Sequence, residues 1–299
     1  MKKLLLFVFI IISSNSFAQH LFERKYSTLE EQWDLNDSIS KSRGLFTVSQ
    51  YKPLYFLFAN MTSDINNKPS SPSPDHTVTE DIPLNNTELK FQLSLKTKVL
   101  GDLFGSKQGG AIWMGYTQTS RWQVFNSEIS RPFRETNYEP ELMYVLPTKY
   151  EVFGIRGVFA GIGMNHQSNG RGLPLSRSWN RIIAQIAWET DHSSIIFRPW
   201  WRIQEDTELD DNPGIENYIG RGELLWAYGN GRHDLSFLGR HSMRFGENNR
   251  GSIQVDYSLR VWDNLKVHLQ VFHGYGESMI DYNHKQTTAG IGFSLIEWR

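Results

Sequence analysis

Over residues 88–99 the chain alternates polar and apolar side chains. Leu89, Phe91, Leu93, Leu95 and Val99 fall on one parity, and Glu88, Lys90, Gln92, Ser94, Lys96 and Lys98 on the other. A period of two sends these sets to opposite faces of an extended strand. Ile195, Phe197, Trp201 and Ile203 alternate in the same manner with Ile196, Arg198, Trp200, Arg202 and Gln204. Other strand-like segments lie near 51–61, 109–122, 135–147, 153–168, 178–190, 215–228, 232–242, 250–261, 264–274 and 286–298. The tally is about twelve, an even number of the kind a closed bacterial membrane barrel uses.

The pattern predicts an all-β chain, a transmembrane antiparallel barrel. Its mean hydropathy of -0.45 looks ordinary, but a barrel shows lipid only every second residue, so its average hides the apolar face. After the leader, no stretch is long and apolar enough for a membrane helix. Aromatic residues at 13%, ten Trp and 24 Gly suit a barrel, and the absence of Cys leaves no disulfide staples. Glu88, Lys90, Lys96, Arg198 and Arg202 sit on the inner parity, predicting a lumen plugged by ion pairs rather than an open pore. Trp113, Trp122, Trp179, Trp188, Trp226 and Trp262 fall near strand ends and are expected to form interfacial girdles. A formal charge of -1 gives no electrostatic case for nucleic acid.

Residues 1–18 have two lysines, a short apolar run and a Ser-Phe-Ala cleavage pattern, the marks of a secretory signal. Residues 19–50 are mixed and polar, a periplasmic segment with a short helix over 29–34 and otherwise a solvated tail. Residues 51–299 form the barrel.

The chemistry concentrates in 164–182. His166 and Ser168 are two apart and share a strand face. Asn169, Gly170, Gly172 and Pro174 spell a turn, after which Trp179-Asn180-Arg181-Ile182 runs back. The hairpin brings Asn180 opposite His166, assembling a nucleophile, its base and a group to orient the base. A bare His-x-Ser has almost no specificity; the hairpin and the parity give it weight. Asn180 shares its parity with Ile182, Ala184, Ile186 and Trp188, so the trio lies on an apolar face. That face meets either a core or lipid. No Gly-x-Ser-x-Gly elbow occurs, which leaves the soluble hydrolase architecture unsupported.

His-x-Ser-Asn-Gly-Arg at 166–171 with Ser-Arg-Ser-Trp-Asn-Arg at 176–181 resembles the outer-membrane phospholipase A family of Gram-negative bacteria. Two further blocks agree: Tyr116-Thr117-Gln118-Thr119-Ser120 through Pro132-Phe133-Arg134-Glu135-Thr136-Asn137-Tyr138-Glu139-Pro140, and Gly274-Tyr275-Gly276-Glu277-Ser278 with Ile280-Asp281-Tyr282-Asn283. The blocks run in family order over most of 51–295. The resemblance implies a calcium-dependent phospholipase acting on the sn-1 and sn-2 esters of glycerophospholipids, with Ser168 as nucleophile, His166 as base and Asn180 orienting it. It implies Ca2+ held by the Arg171 carbonyl, the Ser176 hydroxyl and the carbonyl of Ser130 of the partner subunit. It also implies a homodimer with Gln118 at the interface and activation by dimerisation when the membrane is disturbed. With the N-terminus periplasmic, odd strands run outward, and the hairpin is expected at the extracellular leaflet. The chain departs from the pattern at Leu173, where family members often carry a carboxylate. Arg171 and Arg177 could instead attract lipid phosphates, and the remaining histidines show no metal-ligand spacing. The competing classes are a non-enzymatic barrel, either a pore or a scaffold, and a soluble periplasmic esterase.

Overall fold

A computed structural model describes residues 27–35, 44–101, 103 and 109–299. The expected signal, 1–18, lies outside the described residues, as do all but 27–35 and 44–50 of the expected periplasmic segment. Strands β1 (Val48–Gln50) and β2 (Leu54–Thr62) are two parts of one stave, both paired with β3 (Thr87–Leu100). Then follow β4 (Ala111–Trp122), β5 (Phe133–Val152), β6 (Ile155–Ser168), β7 (Ser178–Glu189), β8 (Ser193–Ile203), β9 (Gly222–Gly229), β10 (His233–His241), β11 (Gly251–Trp262), β12 (Leu265–Gly274) and β13 (Gln286–Ile296). Each pairs antiparallel with the next, and β13 returns to β2, closing a barrel of twelve staves. Closure leaves no free sheet edge, which a strand protein needs in lipid.

One rim carries long loops; at the other, short turns join β5 to β6, β7 to β8, β9 to β10 and β11 to β12. Parity is realised as expected. Leu93, Leu95, Ile162, Met164, Trp201 and Leu269 face outward and are exposed, while Glu88, Lys90, Lys96 and Arg198 are buried inside. The lumen is filled in layers. At the turn rim, Trp113, Met143, Val145, Phe159, Ala187, Ile196 and Leu225 form an apolar cluster. At the loop rim, Trp179, Ile183, Trp200, Ile215, Ile219, Met279 and Tyr282 form a second. Ion pairs occupy the space between: Arg198 with Glu141 and Glu223, Lys52 with Glu139 and Glu141, Arg181 with Glu139, and Lys90 and Arg121 with Glu277. Burying so many charges is tolerable only because each finds a partner.

Three expectations need correction. Trp113 and Trp179 are not girdle residues; both are buried in the lumen clusters. Their odd parity points inward, and proximity to a strand end does not reveal parity. Helix α1 (Leu29–Gln32), capped by a Thr28–Glu31 box, is no solvated tail. Leu29 and Trp33 plug the turn-rim cluster, and the Leu29 N–H donates to Glu189 Oε2 at 2.8 Å. Finally, the strand expected from 215 begins at Gly222; Ile215–Asn217 is a 3-10 turn folded into the loop-rim core. After β13 the chain turns inward: the Trp298 carbonyl accepts from Gln32 and the Arg299 guanidinium donates to the Thr190 carbonyl.

Candidate active site

The β6–β7 hairpin forms with His166 opposite Asn180 and Ser168 opposite Ser178. The choice the parity left open is decided by the neighbours. Ile162, Met164 and Ile182 on the same parity are exposed on the outer wall, whereas Asn165, Arg181 and Gln185 on the other are buried in the lumen. His166, Ser168 and Asn180 therefore stand on the barrel's outer surface, near its loop rim.

His166 Nδ1 lies 2.9 Å from Asn180 Oδ1. An amide oxygen can only accept, so in this pairing Nδ1 carries the ring proton and Nε2 keeps its lone pair. Ser168 shares the face, and no hydrogen bond joins its hydroxyl to the ring. On its other side, the Asn180 amide Nδ2 donates to Glu205 Oε1 at 2.8 Å. Glu205 follows β8, whose Ile203 is the register partner of Asn180. Burial raises the Glu205 carboxyl above its ordinary range, against the lowering effects of the Asn180 hydrogen bond and Arg202.

The loop at 169–177 is tied from within. Asn169 Oδ1 accepts from the N–H groups of Arg171 and Arg177, and its Nδ2 donates to the Leu175 carbonyl at 2.8 Å. Gly170 turns the chain at φ 61°, where a Cβ would also meet the Tyr138 ring at 3.2 Å. The guanidinium of Arg177 is buried and donates to the carbonyls of Pro174, Ser176 and His76. That removes it as a lipid-phosphate ligand, for it is already used to pin the loop. Arg171 is exposed, and its side chain reaches the carbonyls of Phe133 and Arg134 on the next hairpin.

Of the expected calcium ligands, Arg171 and Ser176 lie on this loop and Ser130 on the neighbouring β4–β5 loop, exposed at the same rim. Ser176 Oγ donates to Asp211 Oδ2 at 2.7 Å, Ser178 Oγ reaches the same oxygen at 3.2 Å, and His76 Nε2 lies 3.0 Å from the other. A carboxylate thus stands beside Ser176 even though Leu173 is apolar and exposed. Asp211, His76 and Glu205 escaped sequence reasoning. They reach the site from other loops, and no local spacing announces them. Among the described residues, no group of three or more His, Asp or Glu forms a metal cluster by itself.

Gln118 lies on the outer parity with Met114 and Tyr116. Within the protomer, its Oε1 accepts from the Tyr116 hydroxyl at 3.1 Å and its Nε2 donates to Ser120 at 3.3 Å. These bonds use one lone pair and one N–H of the amide, leaving a second of each for a partner across the outer surface. A second serine–histidine–carboxylate cluster exists in the lumen, where His268 contacts Ser258 at 2.7 Å and lies between Asp256 and Glu297. It is fully enclosed and clamped by two carboxylates, so it serves as packing rather than chemistry.

Comparison with known proteins identifies the family and the fold. The family model described as phospholipase A1 matches residues 29–295. A phospholipase A1 of Salmonella typhimurium is 37% identical over 250 residues, which cover 84% of this chain and 82% of that relative. The solved outer membrane phospholipase A of Escherichia coli superposes with a TM-score of 0.77 at 32% identity, covering 90% of this chain and 99% of that one. The Salmonella typhi outer membrane phospholipase, solved as a dimer with bound calcium, matches with a TM-score of 0.76 at 33% identity, covering 89% and 97% of the two chains.

Proposed function

The chain belongs to the phospholipase A1 family of outer-membrane enzymes, and from that membership we propose that Ser168, His166 and Asn180 hydrolyse the sn-1 and sn-2 acyl esters of glycerophospholipids. The non-enzymatic and soluble alternatives are set aside by the family and by the closed barrel. The observation that carries the catalytic reading is the His166–Asn180 contact of 2.9 Å on the outward wall. Ser168 Oγ attacks the ester carbonyl carbon while His166 Nε2 takes its proton. Collapse of the tetrahedral intermediate breaks the ester bond, and the proton passes to the lysophospholipid oxygen. Water, activated by the same nitrogen, then releases the fatty acid from Ser168. An amide at 180 suits this surface: it orients the imidazole without the several kcal/mol of desolvation that an ionised carboxylate beside lipid would incur.

The donor set fits calcium, a hard ion that takes six to eight oxygens. The Arg171 carbonyl and the Ser176 hydroxyl would hold it together with the carbonyl of Ser130 of the partner subunit, and the Asp211 carboxylate beside Ser176 adds negative charge there. Bound at that position, calcium supplies positive potential for the oxyanion. A related enzyme is solved as a dimer with bound calcium, which supports a dimeric active form; the family resemblance puts Gln118 in its interface.

The test is fatty-acid release from phospholipid in mixed micelles by the refolded protein, with calcium or chelator, beside Ser168→Ala. Calcium-dependent release that Ser168→Ala abolishes is the expected result; release that survives both the substitution and chelation contradicts the reading. Crosslinking in the same micelles follows the dimer, whose fraction should rise with activity.

A further inference from the structure

Asn180 has two chemically different ends, and an amide can turn over at little cost in shape. Only one orientation serves the chemistry. With Oδ1 toward His166, the proton sits on Nδ1 and Nε2 is free to receive one from Ser168. With the amino group toward His166, the ring must accept at Nδ1 and carry its proton on Nε2, where it blocks the base. Glu205 decides between them. Its carboxylate cannot donate, and it lies 2.8 Å from the Asn180 nitrogen. The other oxygen, Oε2, is buried without a hydrogen-bond partner.

We propose that Glu205 is a positioning residue of the active site, which holds the Asn180 amide in the productive orientation and sets the charge behind the His166 imidazolium. The inference rests on the serine–histidine–asparagine reading above. Chain geometry supports it. Ile203 is the register partner of Asn180, and Glu205 continues the outward parity of Trp201 and Ile203 past the end of β8. The side chain therefore arrives on the wall that carries the site. Its negative charge lies one amide away from the ring that becomes cationic in the transition state, so the amide supplies geometry and the carboxylate supplies field. The charged groups that bear on Glu205 are Arg202 from β8 and Asp210 and Asp211 from the following loop; β7 contributes Asn180 and, beyond it, β6 contributes His166. Arg202 is itself committed to Asp210 and Glu216 and does not neutralise Glu205 alone.

The experiment measures kcat, KM and the pH profile of the refolded full chain carrying Glu205→Gln or Glu205→Ala, each also combined with Asn180→Ala. Gln keeps the shape but can donate as well as accept, so the amide loses its bias. The expected result is a fall of about tenfold in kcat at unchanged KM. The acid limb should also move by ~0.5 unit to lower pH, because an imidazole deprived of a nearby anion protonates less readily. On the Asn180→Ala background, either substitution should cost distinctly less, because the hold on the amide is gone and only the field of the carboxylate is left to lose. Unchanged kcat and pH profile in both single variants overturns the proposal, as does an equal loss with and without Asn180. Persistence of wild-type activity in Ser168→Ala would instead defeat the underlying catalytic reading.

Discussion

Asn180 is bonded at both ends of its amide, to His166 Nδ1 and to Glu205 Oε1, and so stands as a spacer between an imidazole and a carboxyl group. Removing it frees the ring to choose either tautomer. Asn180→Ala is expected to lower kcat about a hundredfold while leaving KM nearly unchanged, because the group acts on the base and not on the lipid; steady-state hydrolysis in micelles measures this. His166 and Ser168 were legible in the sequence because residues two apart on a strand share a face and because the blocks around them resemble those of the family. Glu205 was not, since it reaches Asn180 from 25 residues away through a loop whose path no local pattern records. Asp211 reaches Ser176 in the same way.

At the scale of elements, the hairpin was readable from its parity and turn residues, and its register followed from them. Helix α1 was readable as a helix but not as a plug, because burial depends on the cavity it meets. Trp33 packs its ring 5.4 Å from Trp113 and 5.1 Å from Phe159. Trp33→Ala should cost roughly 3–5 kcal/mol of stability, seen as a lower thermal midpoint with kcat preserved, since the plug lies at the rim away from the site. The 275–285 loop closes the opposite rim through Asp281, which pairs with Arg134 at 2.8 Å. Burial alone would raise the Asp281 carboxyl; the Arg134 guanidinium and the Ser278 hydroxyl outweigh it and hold the carboxyl below its ordinary range. Its contribution is therefore fully present above the unfolded carboxyl value and is lost as pH falls through the depressed one. Limited proteolysis of this loop should begin only below pH ~4, and cleavage at neutral pH would contradict the assignment.

For the whole molecule, the lumen is plugged by two apolar clusters with ion pairs between them rather than left as a channel. Glu277 descends from a loop to meet Lys90 at 2.6 Å and Arg121 at 2.5 Å, all three buried. Glu277→Ala strands two cations and is expected to cost about 3–5 kcal/mol, measured as a lower denaturation midpoint on a heat-modifiable gel. Replacing the whole cluster with apolar residues of similar volume should cost far less, for no charge is then left unpaired.

The sequence by itself determined the barrel, its strand count, the alternation of two faces along its strands and the face that His166, Ser168 and Asn180 share. Each of these follows from a period of two and from turns, which are properties of neighbours along the chain. Tertiary structure alone decided that the apolar face of β6 and β7 meets the outside, that Trp113 and Trp179 are core, that α1 is a plug, and that Glu205 reaches Asn180 and Asp211 reaches Ser176. Those outcomes depend on how far the barrel closes and where each loop lands, and a one-dimensional pattern records neither.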